Sequence, residues 1–215
     1  MFSLIVFDLD GTLIDSRRDI ADAANAVLQS TGAPPLDQEA IGAMVGDGAA
    51  ALIARAFAAA GRPAPPDALE RFLAAYGRGL LTHTRPYPGI SDALDSLSSR
   101  VPLALLTNKP IAATRTILDA LDLARFFPRD RVLGGDGPFA RKPAPDGLLR
   151  LAEDAGAEPG RTLLVGDSIV DWQTAHDAGA PICLARYGFG FATFPADRLT
   201  DGDRWIDTAE ELKQL

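Results

Sequence analysis

Asp8 and Asp10 stand two apart in the run Phe7-Asp8-Leu9-Asp10-Gly11-Thr12. Two further polar clusters follow much later in the chain. They are Leu106-Thr107-Asn108-Lys109 and Val165-Gly166-Asp167-Ser168, the latter with Asp171 close behind. If the three clusters met, Asp8, Asp10 and Asp167 would repel, and like charges in a small site raise carboxyl pKa values. A divalent cation removes that conflict. Mg²⁺ takes oxygen ligands octahedrally, typically one or two carboxylates with waters and a substrate phosphate. It holds a phosphate against carboxylates that would otherwise repel it, and it stabilises charge in the transition state.

The residue types then suggest a division of labour. Asp8 is placed as a nucleophile toward phosphorus, since a carboxylate can accept a phosphoryl group covalently. Asp10 is placed to protonate a leaving oxygen and later to activate water. Gly11 permits the tight turn that follows. Thr107 offers a hydroxyl, and nearby backbone N–H groups offer donors, to phosphoryl oxygens. Lys142, in Arg141-Lys142-Pro143, adds positive charge to the same oxygens. The candidate set is therefore Asp8 and Asp10 for catalysis, Thr107, Asn108 and Lys142 for substrate, and Asp8, Asp10 and Asp167 for metal. Gly11, Thr12 and Asp171 support it. Each piece alone has a plainer reading: a solvated turn, a helix N-cap, a surface lysine, an Asx turn with a first-turn acid. The case rests on all of them occurring in this order.

Something must bring residues about 160 positions apart into one crevice. Each of the three clusters closes a short apolar run: Ser3 to Phe7, Leu103 to Leu106, and Thr162 to Val165. Such runs read as strands buried on both faces. Ile182 to Leu184 is a comparable run, with Arg131 to Leu133 and Arg204 to Ile206 weaker. Helical patterns lie between them, at Ile90 to Ser99, Ala112 to Leu121, Pro145 to Ala155 and Asp171 to Ala178. This alternation predicts a parallel α/β sheet. In an open parallel sheet, ligands bind outside the carboxyl ends of the strands.

From Arg17 to about His83 the pattern is helical only. Ile20, Ala24, Val27 and Leu28 share one face, Leu52, Ile53, Ala56 and Phe57 a second, and Leu69, Phe72, Leu73 and Tyr76 a third. The expected division is an α/β core of 1–15 and 87–215, with a helical insertion at 16–86.

Bulk properties restrict the partners. Hydrophobic residues at 47% and charged residues at 23% exclude a disordered chain. A net charge of −8 without a basic run argues against nucleic acid and anionic membranes. The expected partner is a small phosphorylated metabolite, with oligomeric state open between monomer and homodimer. No run is long enough to span a bilayer, the N-terminus lacks a basic leader, and Cys183 is the only cysteine. The expected location is cytoplasmic. Lysine is rare: of 21 Lys and Arg, only Lys109, Lys142 and Lys213 are lysine. A lysine in a motif is thus unlike surface filler.

These motifs resemble the haloacid dehalogenase superfamily, and within it the phosphoglycolate phosphatase group. Asp8 to Ser16 resembles the first family motif, Leu106 to Pro110 the second, Arg141-Lys142-Pro143 the third, and Gly166 to Asp171 the fourth. Tyr87-Pro88-Gly89, Gly134-Gly135-Asp136 and Tyr187-Gly188 add matches typical of the group. The resemblance implies a Rossmann-like core with the helical insertion as a mobile cap, and a Mg²⁺-dependent phosphatase working through an aspartyl phosphate on Asp8. It implies that Asp10 ligates metal through its backbone carbonyl, that Thr107 and Lys142 bind phosphate, and that Asp171 supports Asp167. 2-Phosphoglycolate is the expected substrate. N-Acetylmuramic acid 6-phosphate or another sugar phosphate, a nucleotide and pyrophosphate are the alternatives. Asp10 argues against a dehalogenase, the lysine-free insertion against a phosphonate hydrolase, and Thr12 against a hexose-phosphate mutase. A phospho-accepting signalling domain lacks an acid at the Asp10 position and lacks the insertion. A silent binding protein would not keep every motif intact.

Elsewhere, His83 and His176 read as structural. Arg17 or Arg18 either faces the site or is solvated. The Gly46-Asp47-Gly48 turn either dips toward the substrate or simply joins helices. Phe189 and Phe191 either edge the site or pack their loop. Trp172 and Trp205 read as core, and Cys183 as inert.

Overall fold

The computed structural model describes residues 1–215. Its strands in chain order are β1 (Leu4–Phe7), β2 (Ile14–Asp15), β3 (Arg85–Pro86), β4 (Leu103–Leu106), β5 (Val132–Leu133), β6 (Thr162–Gly166), β7 (Ile182–Ala185) and β8 (Arg204–Ile206). Its helices are α1 (Arg17–Ser30), α2 (Gln38–Gly42), α3 (Ala49–Ala59), α4 (Ala68–Gly79), α5 (Ile90–Ser98), α6 (Ile111–Ala120), α7 (Asp146–Asp154) and α8 (Ile169–Asp177). Six strands form one sheet in the order β5-β4-β1-β6-β7-β8, with every pairing parallel.

The apolar runs form strands because both faces are covered. Along β1, Ile5 and Phe7 pack on one side and Leu4 and Val6 on the other, the two-residue period of a pleated strand. β4 repeats this, with Leu103 and Leu105 on the first side and Ala104 and Leu106 on the second. Leu94 and Leu97 of α5 and Ile117 of α6 cover the first side. Leu148 and Leu151 of α7 and Trp172 and Ala175 of α8 cover the second.

The helices α1 to α4 lie between β2 and β3. These two-residue strands pair antiparallel, Ile14 with Pro86 and Asp15 with Arg85. The chain leaves and rejoins the sheet through this ribbon. Buried Asp19 of α1 ties the returning chain down by accepting from the backbone N–H groups of His83 and Thr84 and from the Thr84 hydroxyl, at 2.7–3.0 Å. The buried side chains of α1 and α3 fall on the expected faces. In α4 only Phe72 and Tyr76 of the expected stripe are buried. Leu69 and Leu73 are exposed, and Leu73 borders a cavity rather than solid core. Trp205 is also a correction: β8 is the edge strand, and the indole is 49% exposed rather than core. No helix is long and apolar enough to cross a membrane.

Candidate active site

β1, β4 and β6 are neighbours, so the residues that follow them emerge side by side at their carboxyl ends. β1 delivers Asp8, β4 delivers Thr107 and β6 delivers Asp167. Gly11 turns the chain with φ +88°, and it is also a spacing requirement, since a Cβ there would lie 2.0 Å from Asp167 Oδ2. Gly188 approaches from the loop after β7, where a Cβ would lie 2.3 Å from both the Asp167 Cβ and the Gly11 carbonyl. Gly190 donates its N–H to Asp167 Oδ2 at 2.7 Å. Thr12 Oγ1 lies 3.5 Å from the other Asp167 oxygen.

Lys142 is the hub. Its Nζ lies 2.8 Å from Asp8 Oδ1 and 2.6 Å from Asp171 Oδ1. Asp171 is held by a capping box that starts α8, in which its Oδ2 accepts from the Ser168 N–H and hydroxyl. That is why α8 begins at Ile169, two residues before the expected start.

Carboxylate oxygens of Asp8, Asp167 and Asp171 all lie within 4.8 Å of one another. Burial pushes the Asp8 carboxyl up to about 7, with Asp171 and Asp10 adding to the rise and Lys142 opposing it. Burial also raises Asp167 well above the usual carboxylate range, with the charges of Asp171 and Asp8 adding to it. Asp8, Asp167 and Asp171 share the single ammonium of Lys142, which leaves two net negative charges when all three are ionised. An all-oxygen, under-neutralised cluster of this kind fits a hard divalent cation.

Asp10 points elsewhere. Its carboxylate accepts from Lys109 Nζ at 2.7 and 2.8 Å and from the Ser16 hydroxyl at 2.6 Å. It is therefore outside the carboxylate cluster, and only its backbone carbonyl is left for the metal role expected of it. Thr107 Oγ1 accepts the Lys109 N–H at 3.2 Å, and its own proton remains available.

A sequence model of haloacid dehalogenase-like hydrolases matches residues 5–185. A phosphoglycolate phosphatase of Rhodospirillum rubrum is 41% identical over 194 residues, spanning 86% of this chain and 80% of that protein. One from Chromobacterium violaceum is 37% identical over 98% of this chain and 95% of its own length. Among solved structures, a predicted phosphoglycolate phosphatase from Haemophilus somnus 129PT superposes with a TM-score of 0.88 at 29% identity, covering 99% of this chain and 97% of the other. The chain belongs to the haloacid dehalogenase-like hydrolase family. It is accordingly an enzyme, a phosphoric monoester hydrolase of that family.

The site of this hydrolase opens into a cavity of about 70 Å³. Asp8, Asp10, Asp167, Thr107 and Lys109 line its floor, and Val45, Leu52, Phe72, Leu73 and Tyr76 of the insertion line its apolar wall. The Gly46–Gly48 turn does reach the site: Gly46 carbonyl accepts from Asn108 Nδ2 at 2.7 Å. The second Asn108 amide proton goes to the Lys142 carbonyl at 2.8 Å. Asn108, expected on the substrate, thus spends its amide donors tying the insertion to the backbone of Lys142. Phe189 lines the cavity, whereas Phe191 stacks on Phe194. Arg17 is not in the cavity; it forks onto Asp15 and lies over the Phe189 ring. Arg18 is exposed beside Asp22. Burial raises the Cys183 thiol to about 12, in keeping with an inert residue.

Lys109 is the residue that sequence reasoning missed. The signal was present, a scarce lysine inside a motif, but its partner Asp10 is 99 positions away.

Proposed function

We propose that this enzyme hydrolyses 2-phosphoglycolate to glycolate and phosphate, with Asp8 as nucleophile. The observation that carries the reading is the Lys142 bridge between Asp8 and Asp171 beside buried Asp167. An Asp8 oxygen attacks phosphorus in line, the ester P–O bond breaks, and Asp10 gives its proton to the departing alkoxide. Asp10 then takes a proton from water, whose oxygen attacks the phosphorus of the aspartyl phosphate. The P–O bond to Asp8 breaks, which frees phosphate and restores the Asp8 carboxylate, with Asp10 protonated again for the next turnover. Lys142 and the Thr107 hydroxyl meet the charge on the phosphoryl oxygens. Asp8, Asp167 and the Asp10 carbonyl would hold Mg²⁺, which when bound offsets the negative charge of cluster and phosphate. Asp171 acts through Lys142, and Gly190 N–H orients Asp167.

We read residues 1–15 and 87–215 as the catalytic core and 16–86 as a cap that closes on it, hinged at the β2–β3 ribbon. The relatives named above support the substrate. Mg²⁺-dependent phosphate release from a panel of esters, with Asp8→Asn as blank, tests the reading. A clear lead for 2-phosphoglycolate in kcat/KM is expected. A lead for a sugar phosphate, nucleotide or pyrophosphate would overturn the substrate, and release undiminished in Asp8→Asn would overturn the mechanism.

A further inference from the structure

A carboxylate beside the phosphate brings a second negative group into the cavity, and a cation must meet it. The insertion holds Arg17, Arg18, Arg55, Arg62, Arg71, Arg78 and Arg85, and none lines the cavity. Lys142 lies beneath Asp8, 4% exposed and already shared by two carboxylates. Lys109 is the one cation in the cavity lining.

Its surroundings let it change partner. Asp10 keeps the Ser16 hydroxyl at 2.6 Å if the ammonium turns away. The Tyr76 ring lies under the ammonium, with Nζ 4.7 Å from the ring centroid, a contact that supports a cation. The Tyr76 hydroxyl is itself buried with no hydrogen-bond partner, on a side chain only 6% exposed. A buried donor left unpaired is costly, and an oxygen acceptor entering beside it removes the cost. The ammonium and the phenol thus stand together where the polar floor meets a wall built from Val45, Leu52, Phe72 and Leu73. A carboxylate can accept from both at once, and a neutral tail cannot match the charge.

We propose that Lys109 and Tyr76 form the subsite for the carboxylate of the substrate, with Lys109 setting the preference for phosphomonoesters that carry an anionic tail. Lys109 comes from the loop after β4 and Tyr76 from α4, so one subsite draws on both the sheet and the insertion. The proposal rests on the reading that the substrate is a small carboxylated phosphomonoester.

The test compares kcat/KM for 2-phosphoglycolate and for 2-hydroxyethyl phosphate on the same Mg²⁺-loaded samples of wild type, Lys109→Met, Lys109→Arg and Tyr76→Phe. Taking a ratio within each sample cancels any loss of folded protein. The wild type should favour the carboxylated ester. That ratio should fall about 10- to 100-fold in Lys109→Met, the scale of one charged hydrogen bond, and several-fold in Tyr76→Phe. Lys109→Arg should retain most of it. A Lys109→Met enzyme slowed equally on both esters overturns the proposal alone, leaving Lys109 as support for Asp10. A wild type that releases phosphate but ignores the tail overturns the substrate reading and the proposal together. If Lys109→Met does not fold, an unchanged ratio in Tyr76→Phe overturns the shared subsite.

Discussion

Lys142→Met is the most informative single change, because an unbranched side chain of nearly the same length remains while the ammonium, with its charge and its hydrogen bonds, is lost. Asp8 and Asp171 are 8% and 0% exposed, and both are paired to this one ammonium. Breaking a buried ion pair from one side costs about 3–5 kcal/mol, since a charge is left uncompensated. In a chain of this size each kcal/mol moves Tm by about 2–4 °C, so Tm should fall by roughly 6–20 °C. The loss should depend on pH. The folded Asp8 carboxyl already stands near 7 with Lys142 present, and removing the cation raises it further. A carboxyl raised in the folded state binds a proton that the unfolded chain has released, so stability falls as pH rises from the unfolded value toward the folded one. The deficit of the variant should therefore be smaller at pH 5.5 than at pH 8. Urea denaturation in chelator at both values measures it, and Mg²⁺ should recover part of the deficit at pH 8. A loss under about 1 kcal/mol, or one equal at both values, would refute the reasoning that Lys142 neutralises buried charge.

In the unsubstituted protein, Mg²⁺ at 100 times its Kd should add about 2.7 kcal/mol of stability. At one fixed Mg²⁺ concentration the increment should be larger at pH 8 than at pH 5.5, since protons on raised Asp8 and Asp167 compete with the cation and weaken its binding. Differential scanning fluorimetry reads it, and an equal or reversed dependence counts against the cluster as a metal site. Gly188→Ala puts a methyl 2.3 Å from the Asp167 Cβ and the Gly11 carbonyl, so it should cost about 1–3 kcal/mol as overpacking and weaken Mg²⁺ binding. Wild-type Mg²⁺ affinity by calorimetry would contradict it. Asn108→Ala releases Gly46 from the Lys142 backbone. It should raise KM and quicken amide exchange in the Val45–Ala49 segment, and unchanged exchange there would show that the bond holds nothing.

How far the chain was legible from sequence follows from where each signal resides. β1, β4 and β6 were readable because strands covered on both faces need unbroken apolar runs. The ends of those runs gave Asp8, Thr107 and Asp167 their common edge. The β2–β3 ribbon was not readable: each strand has two residues, one of them Pro86, and the pairing joins Asp15 to Arg85 across the whole insertion. The partnership of Lys109 with Asp10 likewise exists only once β4 lies beside β1. The Ser168–Asp171 capping box was visible as a pattern, but its acid was read first as part of the site, and the structure assigns it to both tasks. Trp205 and Leu73 misled for one reason. Hydrophobicity marks a residue for contact with apolar matter without saying whether a core, a cavity wall or a bare sheet edge supplies it.

The covalent role of Asp8 is tested most directly by trapping the phosphoryl group. In Asp10→Asn, an aryl phosphate needs little acid help to leave, whereas hydrolysis of the aspartyl phosphate still needs the lost base. Acid quenching of that variant with Mg²⁺ and the aryl ester, followed by proteolysis and mass spectrometry, should find one phosphoryl group on the peptide carrying Asp8. Release of the aryl alcohol with no phosphoryl group on Asp8, or with the group on another residue, would contradict the account.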